Sequence, residues 1–315
     1  MSITEASAPG KIILFGEHAV VYGQPAIAAP LSKVRAWARV SDGEQPGVYI
    51  AAPDLEEEHW LEDSEAGDAL AATVRLVQLA AGLRALPPLR VEVRSDIPIA
   101  SGLGSGAATA AALVRALARH LRRPDLAEDA RVAQLTYEVE KIHHGTPSGI
   151  DNTVVALEQP IFFMRRAPQN LVEPFTARQA LTLLVADTGL RSSTRDVVGD
   201  VRRQWQIEPQ RFEALFASCG RIAHAAREAL QNGDLEKLGH LMNENQTLLQ
   251  EMTVSDPTLE RLIAAARQAG AMGAKLSGAG RGGNMIALAH DEQCTKVQQA
   301  LEQAGAARVM RTTIS

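Results

Sequence analysis

The stretch RVEVRSDIPIASGLGSGAATAAALVRALARHL, residues 90–121, decides the fold. Alternating apolar positions at Val91, Val93 and Ile97 read as a strand, and the Ala/Leu/Val run from Ala107 to Leu121 reads as a helix. Between them Gly102 and Gly104 free the turn of Cβ atoms, so that backbone N–H groups can close on an anion. The unpaired N–H groups and positive dipole end of the helix then face that anion. Strand, loop and helix alone leave three owners open: the pyrophosphate of a dinucleotide, the triphosphate of ATP, or no ligand and an ordinary glycine turn before a core helix.

Gly102, Gly104 and Ala107 formally satisfy the dinucleotide fingerprint G-x-G-x-x-G/A. That fingerprint also needs a second strand about twenty residues on, carrying an acid for the ribose. Here the region reads HLRRPDLAEDARVAQLTYEVEKIHHG, a charged turn followed by another helix. The dinucleotide reading therefore lacks its ribose partner.

The chain has 315 residues, enough for two domains, with 46% apolar and 22% charged residues. A formal net charge of −5 argues against a general nucleic-acid binder, which would carry a basic face. Cys219 and Cys294 are the only cysteines, too few for a disulfide scaffold and not spaced for zinc, which fits a reducing, cytoplasmic setting. With no export-type leader and no long uncharged apolar run, neither secretion nor membrane insertion is expected.

Upstream, Ile12–Phe15 and Val34–Val40 read as strands punctuated by glycine and proline. An acidic stretch around Asp54 to Asp63 precedes DALAATVRLVQLAAGLRAL, which has helical periodicity. Residues Asp129 to His143 place Val132, Leu135, Thr136, Val139 and Ile142 on one helical face, and NTVVALEQPIFFMRR reads as strand. A new block opens at ALTLLVADTG, a buried-strand pattern, and continues with three helical stretches; the next helix is expected to start at Asp256 as N-cap and Pro257 as first residue. Strands then helices, twice over, give an α+β protein of two domains, 1–180 and 181–315.

Three separated motifs occur in order: APGKIILFGEHAVVYGQPAIA (8–28), PIASGLGSGAAT (98–109) and KLSGAGRGGNMIAL (275–288). The set resembles the GHMP kinase superfamily, named for galactokinase, homoserine kinase, mevalonate kinase and phosphomevalonate kinase. GEHAVVYG together with EKIHHGTPSGIDN (140–152) resembles the mevalonate kinases within it. The resemblance spans almost the whole chain and favours ATP as owner of the loop. It implies a two-domain GHMP kinase fold: an N-terminal α+β domain with a left-handed βαβ crossover, against the usual handedness, and a ferredoxin-like C-terminal domain. It also implies transfer of the ATP γ-phosphoryl group to the 5-hydroxyl of mevalonate, with Mg2+, and a chain that can dimerise. Within the same fold, phosphomevalonate, homoserine or a sugar are alternative acceptors, and a nucleotide-binding regulator without turnover is a further reading.

Carried over residue by residue, the resemblance gives Gly102, Leu103, Gly104, Ser105, Gly106 and Ala107 to the phosphates. It makes Asp151 the catalytic aspartate and Lys11 the catalytic lysine. Glu140, eleven residues before Asp151, becomes the Mg2+ carboxylate with Ser105 beside it, although periodicity alone reads Glu140 as solvated. Glu17, His18, Thr194, Arg195, Gly278, Ala279 and Gly280 fall to the acceptor side. The third glycine run, Gly278 to Gly283, also fits G-x-G-x-x-G, but a strand follows it in place of a helix, which excludes a dinucleotide loop. Two departures stand out. Gly106 replaces a serine that the family pattern associates with the metal, and Arg281 replaces a glycine, adding a positive charge either for phosphate or for solvent.

Overall fold

A computed structural model describes residues 2–65, 67–98, 102–144 and 147–314, with the side chains of 143 and 144 outside that description. The chain divides into two compact units: Met1–Lys11, Ser32–Ile99 and Leu103–Glu158 form the first, and Ile12–Leu31, Ala100–Gly102 and Gln159–Ser315 the second. The division differs from the expected one at residue 180. It falls after Glu158 and assigns 12–31 to the second unit, because Pro25–Ala28 pair with Ile161–Met164 and Tyr22 stacks on Phe216 at 4.0 Å.

Strand β1 (Ile3–Phe15) pairs with β2 (Pro25–Asp42); in the first unit β3 (Val48–Ala52) carries a short outer strand, β4 (Glu57–Trp60). The acidic stretch around Asp54 to Asp63 thus contains an edge strand. The alternation around Val91 becomes β5 (Leu89–Ser95), which runs parallel to β3 and antiparallel to Ala36–Asp42 of β2. Between β3 and β5 comes α1 (Ala69–Ala80), whose N-terminus is fixed by Asp68 accepting from Leu70 N (2.8 Å) and Ala71 N (3.0 Å). Then follow α2 (Ser105–His120), α3 (Asp129–His144) and α4 (Ile150–Leu157).

α2 is buried almost all round, from Ala107 to Ala118. The sequence read as strand from Asn152 is instead the helix α4. Gly149, in the left-handed conformation, starts it, Asn152 Nδ2 donates to Ala133 O of α3 at 2.9 Å, and Ile150, Val154, Val155 and Ala156 are buried. Tertiary burial overrides the strand preference of Thr153, Val154 and Val155.

One buried guanidinium joins these elements. Arg115 of α2 donates to Ser7 O of β1 (3.1 Å), Asp129 of α3 (3.1 Å), Glu158 (2.8 Å) and Ala156 O at the end of α4. Arg115→Met leaves two carboxylates and two carbonyls without it. Urea unfolding of that variant is expected to show a loss of about 2 kcal/mol, the scale for hydrogen bonds to a charged group, since Asp129 and Glu158 are partly exposed and can be rehydrated. A loss under about 1 kcal/mol, as for surface pairs, would contradict the hub.

The second unit holds an antiparallel sheet in the order β11-β8-β10-β9, with β8 (Leu181–Asp187), β9 (Gly273–Ser277), β10 (Asn284–Leu288) and β11 (Arg308–Ile314). Helices α5 (Thr194–Ile207), α6 (Pro209–Asn232), α7 (Leu235–Glu251) and α8 (Pro257–Gln268) lie between β8 and β9 in sequence, and α9 (Cys294–Gln303) between β10 and β11. Two crossovers with this strand order make the sheet ferredoxin-like, as the resemblance implies. Also in this unit, β6 (Ile161–Met164) pairs with β2 and with β7 (Leu171–Pro174). Asp256 caps α8, with Pro257 its first residue.

β9 is an edge strand, and α7 covers it. Asn243 Oδ1 accepts from Ala274 N (3.1 Å) and Gln246 Oε1 from Leu276 N (2.9 Å), so side-chain amides satisfy the free edge. The approach requires glycine on both sides: a Cβ on Gly239 would lie 2.7 Å from Met272 C, and one on Gly273 2.2 Å from Gly239 O.

Candidate active site

In the first unit, β1 delivers Lys11 to the start of α2. Lys11 N donates to Leu103 O at 2.8 Å, and a Cβ on Gly104 would sit 2.7 Å from Lys11 Cγ. Gly104 (φ 75°) is therefore glycine for two reasons, its left-handed backbone and the lysine stem packed on it. The turn ends in a helix with no side-chain cap at Gly104 and no acidic residue in its first turn. Such an N-terminus presents backbone amides and the positive dipole end to an anion. Gly102 (φ 77°) borders open space, and residues 99–101 lie outside the described residues.

Lys11 Nζ reaches Asp151 Oδ2 at 3.0 Å, with the lysine side chain 6% and the aspartate 30% exposed. The cation is thus buried while part of its carboxylate partner stays open to a ligand. Asp151 stands in the first turn of α4, which Asn152 ties to α3.

Glu140 belongs to the same constellation. It is 7% exposed, and its carboxyl is pushed up to about 7, first by burial and then by the charge of Asp151, with Lys11 opposing. The solvated reading of Glu140 is corrected by the helix geometry. The buried stripe of α3 runs Val132, Leu135, Thr136, Val139, Glu140, at i, i+3, i+4, i+7 and i+8, while Ile142 is exposed. A Cβ on Gly106 would lie 3.4 Å from Glu140 Oε1, so the glycine of the loop and the buried carboxylate face each other. Among the described residues no group of three or more His, Cys, Asp or Glu side chains forms a metal cage.

The second unit collects the residues that the resemblance assigns to the acceptor side. His18 follows β1 with φ 59° and is 6% exposed; its Nε2 lies 2.8 Å from Ala279 O. A carbonyl only accepts, so Nε2 carries the proton, and the ring is neutral because burial brings its pKa down to about 4. Its Nδ1 is a buried acceptor with no hydrogen-bond partner among the described residues.

The Gly278–Gly283 loop is held by Arg281 N on Val254 O (2.8 Å), Gly283 N on Leu190 O (3.0 Å) and Ser192 Oγ on Gly280 O (2.8 Å). Ser192 thereby puts the N-terminus of α5, with Thr194 and Arg195, next to this loop. Gly278 borders open space. The Arg281 guanidinium pairs with Asp200 of α5 and donates to Thr253 O at 3.1 Å.

Glu17 is fully buried and pairs with Lys275 of β9, a residue the sequence reading passed over.

His18 gives a measurable pH effect. The unfolded chain takes up the imidazole proton near 6.5 and the folded chain only near 4. Stability is therefore present above 6.5 and lost as pH falls toward 4, by on the order of 3 kcal/mol. Urea unfolding at pH 7 and 4.5 is expected to show this loss in the wild type and a flatter dependence in His18→Gln. Equal slopes would remove the buried neutral histidine.

Comparison with known proteins agrees with this geometry. Residues 69–159 match the GHMP kinases N terminal domain and residues 226–307 the GHMP kinases C terminal domain. The chain is 36% identical over 320 residues to a mevalonate kinase of Pyrococcus abyssi, covering 95% of this chain and 92% of that one. It is 38% identical to a mevalonate kinase of Thermococcus gammatolerans, with 95% and 93% covered. Superposition on the L. major mevalonate kinase in complex with R-mevalonate gives a TM-score of 0.83 at 32% identity, over 99% of this chain and 95% of that one. ATP is the phosphoryl donor such kinases imply, and no helix among the described residues is long and apolar enough to cross a membrane. The chain belongs to the GHMP kinase family, alongside the mevalonate kinases.

Proposed function

We propose that the chain transfers the γ-phosphoryl group of ATP to the 5-hydroxyl of mevalonate, giving 5-phosphomevalonate and ADP. The observation that carries this reading is the Lys11–Asp151 pair, 3.0 Å apart, its lysine buried and packed against the uncapped turn that opens α2. The likeness to mevalonate kinases at up to 38% identity supports mevalonate as the acceptor.

In the reaction the hydroxyl oxygen bonds to the γ-phosphorus as the bond to the β-phosphate oxygen breaks, and the hydroxyl proton passes to Asp151. Lys11 orients the aspartate and faces the transferring group with its charge. In a loose transition state positioning and charge stabilisation dominate. Gly102 to Ala107 hold the phosphates through backbone amides. On the acceptor side His18, Thr194, Arg195 and the Gly278, Ala279 and Gly280 backbone line the substrate.

Mg2+ fits the residues present. A buried carboxylate whose proton is held up to about 7 by burial and a neighbouring carboxylate gains from a cation. Glu140, with Ser105, would hold the ion, and the small Gly106 leaves room beside Glu140 Oε1. A single protein carboxylate with phosphate oxygens and water is a usual Mg2+ environment. When bound, the ion neutralises charge on the phosphate oxygens. The reading further takes the protein to be cytoplasmic and able to form a homodimer, with small molecules as ligands and without nucleic-acid or membrane partners; the net charge of −5 supports the exclusion of nucleic acid.

The test is Mg·ATP-dependent ADP release by the purified protein with mevalonate, phosphomevalonate, homoserine and galactose offered in parallel. Turnover with mevalonate alone is expected. Turnover with another acceptor alone overturns the acceptor, and ATP binding without turnover on any of them overturns the reaction.

A further inference from the structure

Lys275 stands at the centre of β9, and neither it nor Glu17 exposes any side-chain surface. Its ammonium pairs with Glu17, donates to Leu276 O at 2.6 Å and lies 5.9 Å from the centre of the Phe15 ring. No ligand can reach either group directly, so neither touches the substrate. Burial works against the charged lysine and the Glu17 carboxylate works for it.

A buried ion pair is a poor device for stability alone, because packed apolar side chains of similar volume do as well or better. What this pair joins is specific. Glu17 lies between Gly16 (φ 93°) and His18 (φ 59°), in a turn with no side-chain cap, where a Cβ on Gly16 would meet Ala26 Cα at 2.5 Å. Lys275 lies three residues before Gly278, on the strand that feeds the glycine loop. The two segments are joined again by His18 Nε2 on Ala279 O (2.8 Å) and by Ser277 Oγ on Ile13 O (2.8 Å).

We infer that Lys275 is a positioning residue for acceptor binding: through Glu17 it locks the His18 turn to the 278–283 loop, so that the His18 ring and the loop backbone present one fixed arrangement to the acceptor. Glu17 then acts from behind the substrate surface. This inference rests on the proposed function only for the identity of the acceptor.

The experiment compares Lys275→Met, Glu17→Leu and the double variant, with Glu17→Asp as a milder change that keeps both charges. Each single variant strands a buried charge and is expected to lower Tm. The double variant regains Tm to within a few degrees of the wild type. Its KM for mevalonate stays raised about 10-fold or more, the scale of a sub-ångström misplacement, while the KM for ATP, set at the 103–107 turn of the first unit, stays within about 2-fold. A double variant with both Tm and acceptor KM restored overturns the inference, because the pair is then structural only. Should the apolar variants not fold, Glu17→Asp decides: a raised acceptor KM at unchanged ATP KM is expected, and unchanged values for both overturn it.

A readout independent of turnover is the 15N spectrum of histidine-labelled protein. It should show His18 as the Nε2–H tautomer alone in the wild type and as a mixture in the double variant; a single tautomer in both overturns the inference. If the wild type does not turn over mevalonate, the acceptor assignment fails while the tautomer comparison still decides the role of Lys275.

Discussion

Asp151→Asn and Lys11→Met are each expected to lower kcat by at least ~10²-fold, the range for losing acid–base or preorganised charge stabilisation. The two substitutions are nearly isosteric, so the packing of Gly104 on the side-chain stem at position 11 and the start of α4 persist. A carboxamide at position 151 cannot take the hydroxyl proton, and a thioether at position 11 leaves the aspartate without the cation that orients it at 3.0 Å. Because both groups act as one unit, the double variant should fall little below the worse single variant. The KM for ATP should change far less than kcat, since the contacts proposed for the phosphates are backbone amides. Steady-state ADP release checks this, and wild-type-like turnover in both variants would remove the mechanism.

Glu140→Gln is expected to produce two effects of opposite sign. With Mg·ATP and acceptor present, kcat should drop roughly 10²-fold, the scale of removing one electrostatic contributor, and the response of rate to added Mg2+ should weaken. In metal-free protein at pH 8 the same variant should be more stable. The Glu140 carboxyl titrates at about 7 in the folded chain and near 4.5 when free, so the folded state holds a proton over that window that the unfolded state has released. Stability from this group is full at low pH, declines as pH rises through the window and is lowest above 7. The difference is on the order of 3 kcal/mol, and the amide of the variant escapes it. Thermal melts at pH 5 and 8 without metal, beside Mg2+ titrations of rate, test both arms. A variant that is less active and also less stable at pH 8 would contradict the buried-carboxylate account. The conflict between folding and chemistry at one residue is what a functional site is expected to show.

Much of the first unit was legible in the residues. The alternation at Val91 and Val93, the glycines and the alanine run specify β5, the turn and α2 through local chemistry alone. Asp256 and Pro257 likewise announce α8. Reading failed where distant contacts decide. Asn152 to Leu157 carry β-branched residues, yet form α4 because both faces meet other helices and Asn152 finds a carbonyl on α3. Glu140 was readable in principle, since the stripe through Val132 reaches it at i+8; its residue type masked its position. Lys275 gave no such signal. A lysine in GAKLS reads as an exposed charge, and its partner stands 258 positions earlier. The partner of Arg281 was hidden for a similar reason, as Asp200 is 81 positions away.

The order in which the two units draw on the chain bears on how the protein is made. Residues 12–31 leave the ribosome early, yet belong with 159–315, and most of the first unit, 32–99 and 103–158, is synthesised between them. The second unit can close only after almost the whole chain has emerged, so its N-terminal strand segment must wait, shielded or loosely attached, while the first unit folds. A cut after Glu158 would separate strand segments that pair with each other, Pro25–Ala28 from Ile161–Met164. The two halves of the gene therefore do not encode two self-sufficient products, and complementation of fragments, more than independent expression, is the behaviour such a chain favours.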